Sequence, residues 1–231
     1  GVFYFAYNYI TSKTFLDKEL FVFAMKSHLP LIAYFLSSTI LNQCDRIMIN
    51  YYCGKEKSAI YGVSYSLAMM ITLISGALNN SFIPFLYENI KKNQGDAINK
   101  RSINNFILIV ILVLTIIFMG PEVIRIVGGK KYLEAIWIIS PVAGSVLLLF
   151  VSQLFIDIQL YFEEKIKIAV ISVIVAVVNI ILNQLCLPIF GYFAAGYTTL
   201  ASYMLYMLLN YIVYRKIIIR ENISFLYNVI S

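Results

Sequence analysis

Six long apolar segments constrain this chain more than any other feature. They cover residues 29–52, 59–88, 103–120, 135–162, 166–188 and 193–214, and short polar segments separate them. A helix rises 1.5 Å per residue, so about 20 apolar residues cross the roughly 30 Å hydrocarbon core of a bilayer. Runs of this length do not alternate with the two-residue period of a barrel strand. The sequence therefore predicts six transmembrane helices.

The composition excludes a soluble globular protein. Of 231 residues, 61% are hydrophobic and 13% are charged, and the mean hydropathy is +0.81. Soluble domains have roughly 45–50% apolar and about 25% charged residues, so this chain has too few charges to cover a soluble surface. Disorder, collagen and small disulfide scaffolds are excluded on the same grounds. We predict an all-α integral membrane protein.

The basic residues predict an orientation in the membrane. Twelve Lys and Arg residues flank the segments on one side and five on the other, and the net charge is +6. Because cytoplasmic loops carry the excess of Lys and Arg, the C-terminus and the region before residue 29 are predicted to be cytoplasmic. This accounts for the basic charge without a nucleic-acid partner. The predicted location is the bacterial cytoplasmic membrane, as a multi-pass protein.

The chain divides into four predicted regions. Residues 1–12 read as the tail of a preceding transmembrane helix, and residues 13–28 as an interfacial amphipathic linker. Residues 29–214 form the six-helix lobe, and residues 215–231 form a basic cytoplasmic tail. Pro30 is expected at a helix start, and Gly54, Gly128–Gly129 and Gly191 at turns. We expect further transmembrane sequence before residue 1.

The first apolar segment carries a polar face. At 100° per residue, five polar side chains share an arc of about 100°. A charge within a span costs about 2.5–3.5 kcal/mol, so such residues usually face a bundle interior or a wet cavity. We predict that this face lines a hydrated path where the guanidinium binds an anion; alternatively, Asp45 and Arg46 clamp neighbouring helices together. The five residues are Thr39, Asn42, Gln43, Arg46 and Asn50.

Other spans carry further polar candidates. Gln153 and Asp157 share a helix face, and Asp157, like Asp45, is a candidate for binding a coupling H⁺ or Na⁺; alternatively, Asp157 is solvated near the cytoplasmic interface. Amides of Asn79, Asn179 and Asn183 are predicted to hydrogen-bond between helices.

Motifs for catalysis or cofactor binding are missing from the sequence. It has no Walker loop, GxSxG, HExxH or paired-carboxylate motif. Its three cysteines and single histidine lack the spacing of metal ligands. We predict no enzymatic activity, no cofactor and no metal site.

Two separated blocks of sequence resemble a known transporter family. The first comprises ILNQCDRIMIN (40–50), IYGVSY (60–65) and FIPFL (82–86). The second comprises VNIILN (178–183), LP (187–188), FGYFAAG (190–196) and TLASY (199–203). In this order they resemble the C-terminal half of Wzx-type oligosaccharide flippases, polysaccharide biosynthesis proteins of the multidrug/oligosaccharidyl-lipid/polysaccharide (MOP) exporter superfamily. Ala195-Gly196 departs from the family's more usual Gly-Ala order.

The resemblance implies a fold and a function. The fold would have two lobes, as in MOP and MATE-like transporters, with this chain as the second, six-helix lobe. The function would be alternating-access movement of undecaprenyl-pyrophosphate-linked oligosaccharide repeat units for capsule, O-antigen or exopolysaccharide assembly. The implied partners are the lipid-linked oligosaccharide, membrane lipid, Na⁺ or H⁺ and glycan-assembly proteins.

Three other functions stay open at this stage. A cation-coupled multidrug exporter of the same superfamily would use buried carboxylates such as Asp45 or Asp157. A membrane-embedded glycan polymerase or acyltransferase would need a sizeable external loop, whereas the longest one here lies around residues 121–134. A purely structural membrane subunit would not need a polar face.

Overall fold

The structure, a computed structural model, describes residues 18–127 and 129–221. The predicted tail of a preceding helix, the first part of the linker and the end of the basic tail lie outside the described residues. Residues 18–28, the rest of the predicted linker, belong to the same continuous helix as the first apolar segment. Their interfacial position stays a prediction.

The described residues form six α-helices and one short 3-10 helix. The helices are α1 (Lys18–Cys53), α2 (Lys55–Lys91), α3 (Gly95–Val127), the 3-10 helix (Lys130–Ala135), α4 (Ile136–Tyr161), α5 (Lys165–Phe190) and α6 (Phe193–Arg220). Each α-helix corresponds to one predicted apolar segment, and only residues 135 and 162 of the fourth segment fall outside their helix. The prediction of an all-α six-helix lobe is confirmed.

Glycines set the helix boundaries on the predicted outer side. Gly54 separates α1 from α2 with a φ of 87°, and Gly191 separates α5 from α6 with a φ of 69°. This left-handed region is accessible to glycine at little cost because glycine has no Cβ. The chain can therefore reverse direction within one or two residues at both places.

Prolines do not mark helix boundaries in this fold. Pro30 was expected at a helix start, but it lies inside α1, which begins twelve residues earlier at Lys18. Pro84, Pro121, Pro141 and Pro188 also lie inside helices. A proline removes one backbone hydrogen bond, and in a bilayer neighbouring helices and local adjustment support the helix beyond it. The prediction for Pro30 is therefore wrong.

Four helices of the described residues are long and apolar enough by themselves to cross a membrane. These are α2, α3, α4 together with the end of the 3-10 helix, and α5. Helices α1 and α6 are also long, at 36 and 28 residues, but polar side chains lower their hydropathy. Much of this polarity is turned inward, as the buried Asp45, Thr198, Thr199, Ser202 and Asn210 show.

Helix α4 lies at the centre of the lobe. It contacts α2, α3 and α6, and most of its side chains are buried. Helix α1 packs mainly on α5, and α5 packs on α6. Helix α6 lies tightly against α4 at Gly196, where a Cβ atom would lie 3.0 Å from Pro141 Cγ and 3.2 Å from Ile138 Cγ2.

We expect Gly196→Val to destabilise the lobe by about 2 kcal/mol, because overpacking a close contact typically costs 1–3 kcal/mol. Size-exclusion chromatography of the detergent-solubilised protein after heating measures the effect. The matched control is Gly76→Val in α2, where a Cβ atom would meet nothing within 4 Å. Equal losses in the two variants would contradict a special role for the α4–α6 contact.

Candidate functional site

A buried carboxylate joins four helices. Asp45 of α1 is fully buried. Its Oδ2 accepts hydrogen bonds from Tyr61 Oη of α2 at 2.9 Å and from Thr199 Oγ1 of α6 at 2.6 Å. Its Oδ1 accepts one from Asn183 Nδ2 of α5 at 2.6 Å. Three neutral donors therefore stabilise the carboxylate in place of water.

A second layer of polar groups extends the Asp45 cluster along α5 and α6. Asn183 Nδ2 also lies 3.3 Å from Asn179 Oδ1, and Asn179 Nδ2 donates to Ser202 Oγ at 3.3 Å. Thr198 Oγ1 donates to Asn183 Oδ1. The structure thus brings the coupling candidate Asp45 together with two amides that were singled out for helix packing.

Arg46 points away from this cluster and borders a cavity. Its Nη2 donates to Gly62 O at 3.2 Å, and its Cζ lies 5.1 Å from the centroid of the Tyr65 ring. Its Nε is buried without a hydrogen-bond partner among the described residues. The cavity measures about 520 Å³ and is lined by α2, α3 and Tyr132 of the 3-10 helix, as well as by Arg46.

Glycine at position 62 allows the guanidinium to approach α2. A Cβ atom there would lie 3.5 Å from Arg46 Nη2. A larger side chain would therefore compete with the guanidinium for the same space. In the described part of the chain, no carboxylate lies within 4.0 Å of the Arg46 guanidinium, so its charge is balanced by a carbonyl dipole and an aromatic face.

The rest of the predicted polar face is divided between two environments. Asn42 is half-buried, and its Oδ1 accepts from Tyr65 Oη at 2.9 Å and from Tyr203 Oη at 3.3 Å. Thr39, Gln43 and Asn50 are exposed on the outside of the described lobe. The structure therefore places Arg46 alone of these five residues at the large cavity, and their role in binding stays a prediction.

A second buried carboxylate lies between α4 and α2. Asp157 Oδ1 accepts from Gln153 Nε2 at 2.9 Å and from Asn79 Nδ2 at 3.3 Å. Asp157 Oδ2 and Asn79 Oδ1 are buried without partners among the described residues. Asp157 is fully buried, which contradicts the alternative of a solvated side chain.

Sequence reasoning missed the hydroxyl groups of these clusters. Tyr61 and Tyr65 are one helical turn apart on α2, and Thr198 and Thr199 are adjacent on α6. The four-residue tyrosine spacing is a sequence signal, but it does not reveal a carboxylate on another helix. With 18 tyrosines in the chain, the type of residue alone could not single these two out.

An ion pair network lies at the predicted cytoplasmic end of the lobe. Glu164, in the turn between α4 and α5, pairs with Lys167 at 3.0 Å and with Arg220 at 2.7 Å. These cations lower the pKa of the Glu164 carboxyl, with Lys167 the larger cause. The network ties the end of α6 to the α4–α5 turn.

A bacterial protein is similar to this chain in sequence. The chain is 29% identical over 163 residues to Lsg locus putative protein 1 of Haemophilus influenzae, a match that covers 66% of this chain and 39% of that protein. No family model matches the chain.

Three solved structures share the fold. An outward-facing multidrug resistance MATE family transporter of the MOP superfamily superposes with a TM-score of 0.68 at 21% identity, over 88% of this chain and 46% of its own. A MATE protein in a bent conformation gives 0.70 at 18% identity, over 90% and 48%. A MOP superfamily transporter from Pyrococcus furiosus, described as having reverse polarity in its binding pocket, gives 0.68 at 20% identity, over 86% and 45%.

The chain spans a little under half the length of these transporters. It therefore has the fold of one lobe of a MATE-type transporter of the MOP superfamily.

We expect Asn183→Ala to destabilise the lobe by about 2 kcal/mol, because it removes a donor from a buried carboxylate and hydrogen bonds to charged groups are worth about 1.5–3 kcal/mol. Thermal unfolding of the purified protein in detergent measures the shift. The control is Asn80→Ala on the exposed surface of α2. A similar shift in both variants would show that the Asp45 cluster contributes no special stability.

Proposed function

We propose that the protein is a flippase that moves undecaprenyl-pyrophosphate-linked oligosaccharides across the bacterial cytoplasmic membrane, and that this chain is one of its two lobes. The observation that carries the proposal is the Arg46 guanidinium of α1. It borders the 520 Å³ cavity, and no carboxylate of residues 18–127 or 129–221 pairs with it. A polar head group cannot cross hydrocarbon unaided, and guanidinium binds phosphate oxygens through two parallel hydrogen bonds.

The proposed mechanism is alternating access. The two lobes would rock against each other, and the head group would cross between them while the lipid tail stays in the bilayer. The lobe fold and the similarity to a Haemophilus influenzae protein of the Lsg locus support this proposal. Glycan-assembly proteins would act before and after the transport step.

Coupling to H⁺ or Na⁺ would use a buried carboxylate. Asp157 is the better candidate, because its Oδ2 receives no hydrogen bond from the described part of the chain, and neither does Asn79 Oδ1 beside it. Two oxygen acceptors without donors suit a proton or a small hard cation. Asp45, with donors on both oxygens, is the second candidate.

The alternative function is cation-coupled multidrug export, as in the MATE transporters that share the fold. The two buried carboxylates favour it. The Arg46 guanidinium opposes it, because a positive charge at the cavity repels cationic substrates.

Arg46→Ala is expected to reduce glycan export at least tenfold while the protein remains in the membrane, because the only charge bordering the cavity in the described residues is lost. Complementation of a strain that lacks the transporter measures export, with surface glycan detected by immunoblot. Arg125→Ala, on an exposed residue paired with Glu122, is the matched control. Normal glycan export by Arg46→Ala would refute the assignment, and ethidium efflux by the wild type would favour the drug exporter.

The proposed orientation predicts a cytoplasmic C-terminus. A green fluorescent protein fused after Arg220 should fluoresce, and alkaline phosphatase fused there should be inactive. The same fusions in the turn after Gly54 should give the opposite pair of results, because five basic residues face that side against twelve. Active phosphatase fused after Arg220 would show that the orientation in the membrane is the opposite of the proposed one.

A further inference from the structure

Asp45 and Arg46 of α1 belong to different environments although they are adjacent in sequence. Consecutive side chains of a helix point about 100° apart. Asp45 therefore enters the sealed polar cluster, and Arg46 borders the cavity. They form no ion pair with each other within 4.0 Å. Any communication between the two environments has to pass through their neighbours or through the field of the charges.

Two tyrosines of α2 contact both environments. Tyr61 Oη donates to Asp45 Oδ2 at 2.9 Å. The Tyr61 and Tyr65 rings stack with centroids 6.0 Å apart and an interplanar angle of 24°. The centroid of the Tyr65 ring lies 5.1 Å from Arg46 Cζ, and Tyr65 Oη donates to Asn42 Oδ1 at 2.9 Å. Contacts thus run without interruption from Asp45 through Tyr61 and Tyr65 to Arg46.

Burial restricts the motion of the Tyr61 and Tyr65 side chains. Tyr61 is fully buried, and Tyr65 is 8% exposed. Buried aromatic rings in close-packed surroundings move as units and transmit displacement to their neighbours. Asn42 and Arg46 are one helical turn apart on α1, so both contacts of Tyr65 are made to the same face of that helix.

We propose that Tyr61 and Tyr65 couple the charge of Asp45 to the position of Arg46, and thereby to the anion affinity of the cavity. This inference rests on the proposed function, since it assigns the cavity an anionic ligand. The two tyrosines are positioning residues, because they act through Asp45 and Arg46.

The coupling follows from the hydrogen bond at Asp45. A negative carboxylate holds the Tyr61 hydroxyl more strongly than a neutral one. When a proton or cation neutralises Asp45, Tyr61 is released, the stack relaxes, and Tyr65 no longer holds the guanidinium against its face. Arg46 then turns its donors to an anion. Coupling between two such sites typically changes affinity 5- to 150-fold, and it is reciprocal.

A double-mutant cycle tests the coupling in the intact transporter. The probe is farnesyl pyrophosphate, whose affinity for the purified protein in detergent is measured by calorimetry. Asp45→Asn, which removes the charge and keeps the shape, is expected to tighten binding about tenfold. In the Tyr61→Phe background the same substitution is expected to change affinity less than threefold, because the ring is present but the hydroxyl is missing.

The control for this cycle removes a different donor from the same oxygen. Thr199→Val deletes the other hydrogen bond to Asp45 Oδ2 and leaves both tyrosines in place. The tenfold effect of Asp45→Asn should persist in that background. An equal effect in the Tyr61→Phe and wild-type backgrounds would overturn the proposal and assign the coupling to the direct field of Asp45.

A second measurement does not require ligand binding, and it does not require the Asp45→Asn variant to fold. The ¹⁵Nε–¹Hε resonance of Arg46 is assigned by its loss in Arg46→Lys. Tyr61→Phe should shift this resonance, although the deleted hydroxyl bonds to Asp45, and Thr199→Val should not. Shifts of equal size, or no shift in either variant, would overturn the proposal.

The two experiments separate this inference from the proposed function. If wild-type and Arg46→Ala proteins bind farnesyl pyrophosphate equally, the proposal of an anion site at Arg46 is refuted. The resonance measurement still decides whether the tyrosines position Arg46. If Arg46→Ala weakens binding but the effects of Asp45→Asn and Tyr61→Phe are independent, only the coupling through the tyrosines is refuted.

Discussion

The hydration of one carboxylate is replaced by three side chains from three other helices, and the arrangement of the lobe depends on that replacement. Asp45 is fully buried, and no cation lies within ion-pairing distance of it in the described residues. The free energy cost of burying it is met by donors from α2, α5 and α6. Each donor has to sit within hydrogen-bond distance, so the cluster fixes the relative positions of four helices.

The same requirement separates the adjacent charges of Asp45 and Arg46 into different environments. Asp45 uses the donors of neighbouring helices, and Arg46 is left with one carbonyl and one aromatic face beside a cavity. A guanidinium has five donor hydrogens, so two contacts leave capacity for a ligand. The acidic residue is thus satisfied inside the lobe, and the basic residue is the one that we propose binds the substrate.

The polar face of the first apolar segment shows what helical periodicity can predict and what it cannot. The periodicity grouped Thr39, Asn42, Gln43, Arg46 and Asn50 on one side of α1. In the structure, only Arg46 borders the large cavity, while Asn42 bonds to tyrosines and the other three are exposed. Angular position on a helix says which residues point together, but the neighbouring helices determine what each residue contacts.

Features that depend on residues close together in the chain could be predicted from the sequence alone. The length and apolarity of the segments gave the six helices and the membrane environment, and glycines gave the turns at Gly54 and Gly191, because each depends on residues close together in the chain. Only the tertiary structure decided that Asn183 and Thr199, which lie 138 and 154 residues from Asp45, would donate to it. Hydropathy counts how much polarity a helix carries. Which polar groups meet depends on the packing of side chains at helix interfaces, and that packing has no periodic signature in the sequence.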